Sequence, residues 1–359
     1  MAASRDEVLK ALEQVIDPEL RRPVTELDMV RDLELRDGVV ALTIVLTIAG
    51  CPLRDSFQQQ VEQALAGVAG VTGVELSFDV MTPEERQALT QKLRGGAPEG
   101  EGVIRLPRDC RVLAVASGKG GVGKSSLAAN LAVCLSQVGH RVGVLDADIY
   151  GHSIPHILGI HQRPVAVDEL IVPPVKDDLK LMSIGFFLET SNEPVMWRGP
   201  MLHRALEQFL TDVHWGEIDV LVVDMPPGTG DVSISLGQLL PRAEVIVVTT
   251  PQKLAQDVAA RAAGMAQKTN MRLLGVVENM SGDVFGSGGG EDLAGELGVP
   301  LLGTVPLDPA LREQGDAGAP VVAAQPEAES AQAIVAIAQE IESLRRERGG
   351  IVKSLPLVS

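Results

Sequence analysis

"VASGKGGVGKSS", residues 115 to 126, sets the tightest limit on what this chain can become. The apolar run "RVLAVAS" leads into it and a helical pattern follows. Gly118 to Ser125 therefore satisfy G-x-x-x-x-G-K-[ST] in the strand, loop, helix setting that the pattern requires. Gly118, Gly120, Gly121, Val122 and Gly123 supply backbone N–H groups able to wrap phosphate oxygens, and the helix N-terminus adds its partial positive charge. Lys124 is placed to reach the β/γ oxygens of a nucleotide, Ser125 offers a hydroxyl to Mg²⁺, and Ser126 continues the cradle.

A loop of this kind needs a parallel sheet beneath it. The remaining runs supply one: "RVGVLDADI", "DVLVVDM", "EVIVVTT" and "RLLGVVENM" are rich in Val, Leu and Ile and alternate with helical stretches, as strands covered on both faces should. The expected fold class is α/β, a P-loop NTPase with a mostly parallel sheet covered by helices on both faces, preceded by a small α+β domain. In "VLDADIYG" Asp146 and Asp148 lie two residues apart at a strand end, a spacing that keeps both carboxylates on one side of an extended chain. One of them can hold a magnesium water while the other positions an attacking water. "VVDMPPGTGD" delivers Asp224 to the carboxyl edge, where open α/β sheets bind ligands, as a second magnesium partner. An acidic strand end or helix cap is the bland alternative for each.

Lys119 is a second lysine in a loop that needs one. Its own phosphate site is already served by Lys124. It either reaches across a two-fold interface to a partner's nucleotide, as an arginine finger does for roughly 10³ to 10⁵ in rate, or is a solvated loop lysine.

Residues 1–94 read as a separate unit with the order α-β-β-α-β-α. "RDEVLKALEQVI" has helical spacing and ends at Asp17-Pro18, and Asp37-Gly38 marks a tight hairpin. Residues 95–109 lose periodicity and gain Gly, Pro and charge, which marks a linker. Residues 110–346 form the expected ATPase domain and 347–359 a tail.

The segments "KGGVGKSS", "DADIYGHSIPHILG", "WRGPM", "VDMPPGTGD", "TTPQ" and "ENMSG" resemble the Mrp (ApbC-like) iron–sulfur cluster carrier ATPases, of the deviant P-loop class that includes the ParA and MinD positioning ATPases. "DPEL", "ELDMV" and "CPLRDSF" in residues 1–94 are similar to the MIP18-type domain that often precedes such an ATPase. The resemblance implies ATP and Mg²⁺ as cofactors, a homodimer in which Lys119 acts across the interface, a base contact from Asn279, a loop near Pro306 closing over the adenine, and delivery of clusters from a scaffold to recipient apoproteins. Catalysis then falls to Lys119, Lys124, Asp148 and Asp224, with Ser125, Asp146 and Asp224 on the metal. A ParA- or MinD-like spatial role, or an ATP-gated adaptor that holds no cluster, are the competing readings.

One departure bears on the cluster. Members of that family carry C-x-x-C shortly after the "ENMS" segment, whereas "ENMSGDVFGSGGG" has no cysteine, and a cubane wants four thiolates. Of the three cysteines, Cys134 shares the apolar face of the P-loop helix, Cys110 precedes the first sheet strand, and Cys51 stands before a helix, where a thiol pKa is lowered, as a reactive thiol or possible iron ligand. His152, His156 and His161 lack a continuous helix to present them, because Pro155 interrupts it. A net charge of −17, the absence of a signal-peptide run and the absence of a long apolar stretch argue for a cytoplasmic protein without nucleic-acid or membrane partners.

Overall fold

The computed structural model describes residues 3–47, 54–93, 104, 106–149, 151–187 and 199–353, with side chains as far as residue 345. In chain order α1 (Arg5–Leu12), β1 (Val30–Arg36), β2 (Val39–Leu46), α2 (Arg54–Ala66), β3 (Gly73–Val80) and α3 (Pro83–Leu93) come first. There follow β4 (Arg111–Ser117), α4 (Lys124–Gln137), β5 (Val142–Asp146), α5 (Ile154–Ile157), β6 (Val165–Val167), β7 (Leu170–Val172), β8 (Val175–Lys176), β9 (Leu179–Ser183) and α6 (Gly199–Thr211). The chain closes with β10 (Val220–Asp224), α7 (Asp231–Leu239), β11 (Glu244–Thr249), α8 (Lys253–Lys268), β12 (Arg272–Ser281), α9 (Gly289–Leu297), β13 (Leu301–Pro306), α10 (Pro309–Asp316), α11 (Val321–Ala324) and α12 (Glu329–Lys353).

Two compact units result. The first gathers the described residues of Met1–Glu101, Val165–Val175 and Asp212–His214. Ser4 starts α1 with a capping box: its hydroxyl accepts from the Glu7 N–H, and the Glu7 carboxylate accepts from the Ser4 N–H at 2.9 Å. The helix stops at Leu12, short of the expected Ile16, because the next backbone groups are taken elsewhere. The Val15 carbonyl accepts from Val24 N–H, and Asp17 Oδ1 accepts from the Glu19 and Leu20 N–H groups. β1 and β2 form the hairpin expected at Asp37-Gly38, where φ is 48° and 86°. β3 lies parallel to β2, which requires the α2 crossover. Within the span 110–346 expected for one domain, β6 and β7 pack into this first unit. Val167 and Val172 are buried with Val8, Leu12, Phe57 and Leu65, and Thr90 Oγ1 donates to the Val167 carbonyl at 3.1 Å.

The second unit holds an eight-stranded sheet in the order β13-β12-β11-β4-β10-β5-β9-β8, flanked by helices. Each strand pair from β13 to β9 is parallel. Every residue of β5 and of β10 is buried, which is why their sequences are unbroken apolar runs ending in aspartate. β4 lies between β10 and β11, so its carboxyl end opens at the middle of the sheet edge. The expected linker lies largely outside the described residues, and α12 continues to Lys353, past the expected start of the tail.

Candidate active site

The loop between β4 and α4 is shaped by close approaches that only glycine permits. A Cβ on Gly118 would stand 2.2 Å from the backbone of Val258 in α8. Gly123, at φ 81°, caps α4, and a Cβ there would meet the Asn279 amide at 2.1 Å. The loop's outer side opens on a cavity of 460 Å³ bordered by Lys119, Gly120, Lys124, Ser125, Asp148 and Gly151, among others. Gly121, Gly123 and Ser126 also face it.

Lys124 begins α4 and is buried. Its ammonium donates to Asp224 Oδ1 at 2.6 Å and stands 3.6 Å from Asp148 Oδ2. Ser125 Oγ donates to Asp224 Oδ2 at 2.5 Å, so the hydroxyl and the carboxylate assigned to magnesium are already in contact. Burial pushes the Asp224 carboxyl above its ordinary range although Lys124 and Ser125 pull the other way. Burial first, and the Asp224 charge second, push Asp146 well above that range.

The two aspartates of "DAD" part company. β5 ends at Asp146, so the alternation that would keep both carboxylates on one side ends there too. Asp146 is fully buried, accepts from Ser183 Oγ at 2.9 Å and from the Asp148 N–H at 3.3 Å, and does not border the cavity. Asp148 does, and its Oδ1 accepts from the Gly151 N–H at 3.1 Å. Ser183 is a site residue that sequence reasoning missed. Its signal was available, a polar residue closing the strand-like segment "LKLMS", and register places it opposite Asp146.

Asn279 donates its amide to the Val122 carbonyl at 2.8 Å and is buried behind the loop, with Oδ1 left without a partner among the described residues. Pro306 ends β13, paired with Ser281. Lys119 is exposed on the cavity rim, and its ammonium makes no hydrogen bond or ion pair among the described residues. Cys51, Trp197 and Arg198 lie outside the described residues. No group of three His, Cys, Asp or Glu side chains that could hold a metal ion, the histidines of 152–161 included, occurs among the described residues.

A cradle of glycine N–H groups, a buried lysine and a Ser–Asp pair suit a magnesium nucleotide. Its place at the carboxyl end of a central parallel strand defines the class, a P-loop NTPase. The family model described as NUBPL iron-transfer P-loop NTPase matches residues 110–342, and one described as iron-sulfur cluster assembly protein matches residues 5–76. The chain belongs to the NUBPL iron-transfer P-loop NTPase family. It is 49% identical to an iron-sulfur cluster carrier protein of Mycobacterium leprae, over 96% of this chain and 94% of that one. A Synechocystis protein of the same description is 43% identical over 94% and 96%. Among solved structures, the ADP complex of an Archaeoglobus fulgidus nucleotide-binding protein superposes with a TM-score of 0.51 at 36% identity, over 58% of this chain and 86% of that one. The Pyrococcus furiosus cell division ATPase MinD gives 0.53 at 25% identity, over 65% and 99%.

Proposed function

We propose that this chain is an ATP-hydrolysing iron–sulfur cluster carrier of the cytoplasm, working as a homodimer that takes clusters from a scaffold and delivers them to apoproteins. The observation that carries the reading is the Lys124, Ser125 and Asp224 constellation beneath the glycine cradle, in a chain whose relatives along nearly its whole length bear the carrier description.

The geometry supports the following division of roles. Glycine N–H groups of 118–123 hold the α- and β-phosphates, and Lys124 balances charge at the β/γ bridge. Ser125 and Asp224 would hold Mg²⁺, which when bound neutralises charge developing on the transferred phosphoryl group, with Asp146 supporting from behind through the 146–148 turn. Asp148, on the cavity wall, accepts a hydrogen bond from the attacking water and orients it. The unpartnered Asn279 Oδ1 suits the adenine amine, a donor, and the turn after Pro306 closes over the base. Lys119, exposed on the rim and unpaired among the described residues, serves the partner's nucleotide, so that hydrolysis is tied to opening and closing of the dimer. The likeness to MinD is one of fold.

The test is phosphate release and ATP-dependent cluster transfer to an apo recipient, for the parent and Lys119→Ala. The variant should bind ATP as the parent does and lose roughly 10³-fold or more in hydrolysis. Hydrolysis at the parental rate would overturn the in-trans role, and a parent that neither hydrolyses ATP nor transfers cluster would overturn the function.

A further inference from the structure

A protein that carries an iron–sulfur cluster needs thiolates, and this chain has three cysteines in all. The structure removes two of them. Cys134 lies on α4 among Leu127, Leu131 and Leu135, 4% exposed, inside the hydrophobic core of the ATPase unit. Cys110 stands just before β4, at the amino end of the sheet. A seven-residue strand separates it from the nucleotide loop, a span of about 20 Å. Its Sγ is turned onto the neighbouring Arg111 carbonyl at 3.8 Å. Burial pushes both thiols up to about 12, Asp219 adding to the effect at Cys110, and the species that ligates iron is the thiolate.

The hairpin tip that follows β12 offers no substitute. Gly282 and Gly286 bond to each other and close a tight turn whose exposed apolar side chains are Val284 and Phe285. Asp283 is its one charged residue. With Cys110 and Cys134 set aside, Cys51 is the remaining cysteine, so even two chains together bring two thiolates to a cluster that wants four.

Resting on the carrier reading above, we infer that the ATPase unit contributes no thiolate to the cargo, and that thiolates from outside the protein complete the cluster's ligand set while it is carried. The ligand chemistry is a thiolate, supplied by a small soluble thiol or by the recipient's own cysteines. A cluster so held is labile by construction. Its outer ligands exchange without any bond to the carrier's core being broken, which suits transfer rather than storage.

The experiment uses the full-length chain, loaded anaerobically with ferrous and ferric iron and sulfide under a phosphine reductant. Three arms are compared: phosphine alone, added small thiol, and added apo recipient bearing free cysteines. Iron and sulfide per chain and the visible spectrum are read after desalting, for the parent and for a Cys110→Ala/Cys134→Ala double variant whose ATP binding confirms that it folds. Parent and double variant should both emerge without iron from phosphine alone and hold equal amounts of cluster in a thiol-supplemented arm. Whichever of the two supplemented arms retains the cluster identifies the source. A four-iron cluster on the parent under phosphine alone, lost in the double variant, would overturn the inference while leaving the carrier reading intact. Iron absent from every arm would overturn the carrier reading and the inference with it.

Discussion

Two aspartates bracket β10, and the strand sends them to opposite electrostatic fates. Asp219, just before the strand, accepts from the Arg141 guanidinium and backbone N–H, and that guanidinium holds its carboxyl down to about 2. Asp224, the last residue of the same strand, is fully buried and shifted upward. The ends of the sheet differ in the same way. At the amino end Arg111 is held by Glu244 at 2.5 Å, by Glu342 at 3.3 Å and by the Ile341 carbonyl at 3.2 Å, a half-buried cation with its acceptors in place. At the carboxyl end three carboxylates, Asp146, Asp148 and Asp224, gather around one bonded cation, Lys124. The amino end is balanced within the protein. Among the described residues the carboxyl end is short of positive charge, which a bound divalent cation would supply under the proposed function.

The largest expected effect separates the two ends by substitution of their cations. Lys124→Ala should cost about 3–5 kcal/mol of stability, because it leaves buried carboxylates uncompensated, and Arg111→Ala less, because Glu244 keeps Arg272 at 3.8 Å and Glu342 keeps Arg345 at 3.9 Å. Only Lys124→Ala should also abolish the rise in Tm that magnesium ATP gives. Thermal unfolding with and without nucleotide measures both, and an Arg111 variant blind to nucleotide would break the division.

A smaller effect concerns pH. A carboxyl whose folded pKa is raised costs stability as pH climbs above the unfolded value of 3.8, and the cost persists at neutral pH. Asp146→Asn keeps an acceptor for Ser183 and removes a charge repelling Asp224. Without magnesium it should raise Tm at pH 8 by about 2–4 °C and leave it unchanged near pH 4. An equal gain at both pH values would show that packing, not charge, is responsible.

The smallest effect lies at Asp219, whose depressed carboxyl stabilises the fold above pH 3.8 and loses that contribution as pH falls towards 2. Because the Arg141 pair is exposed, Asp219→Asn should cost no more than about 1 kcal/mol at pH 7. Urea unfolding should show the gap between parent and variant shrinking below pH 4.

Much of this was legible from the sequence because the relevant signals are local. An apolar run, a glycine pattern and a lysine lie within fifteen residues, so the loop, its strand and its helix could be read together. The carboxylates were found because each lies at, or just past, the end of an apolar strand. Which of Asp146 and Asp148 meets the cavity was not legible, since alternation holds only while the chain stays extended and β5 stops at Asp146. Ser183 escaped for a different reason. Its partner Asp146 is 37 residues away, and only the pairing of β5 with β9 joins them.

The β6–β7 hairpin bears on how this chain can be cut. The polypeptide leaves the nucleotide-binding unit after Pro164, completes the first unit's core with Val167 and Val172, and rejoins at Lys176. A truncation that begins at residue 110 therefore does not excise a self-sufficient module. It strips two buried valines of the apolar neighbours they share with Val8 and Leu12 and exposes a sticky strand pair, so such a fragment should aggregate more readily than the intact chain. The modules of this protein are interleaved, so a cut made at one point in the sequence leaves neither of them whole.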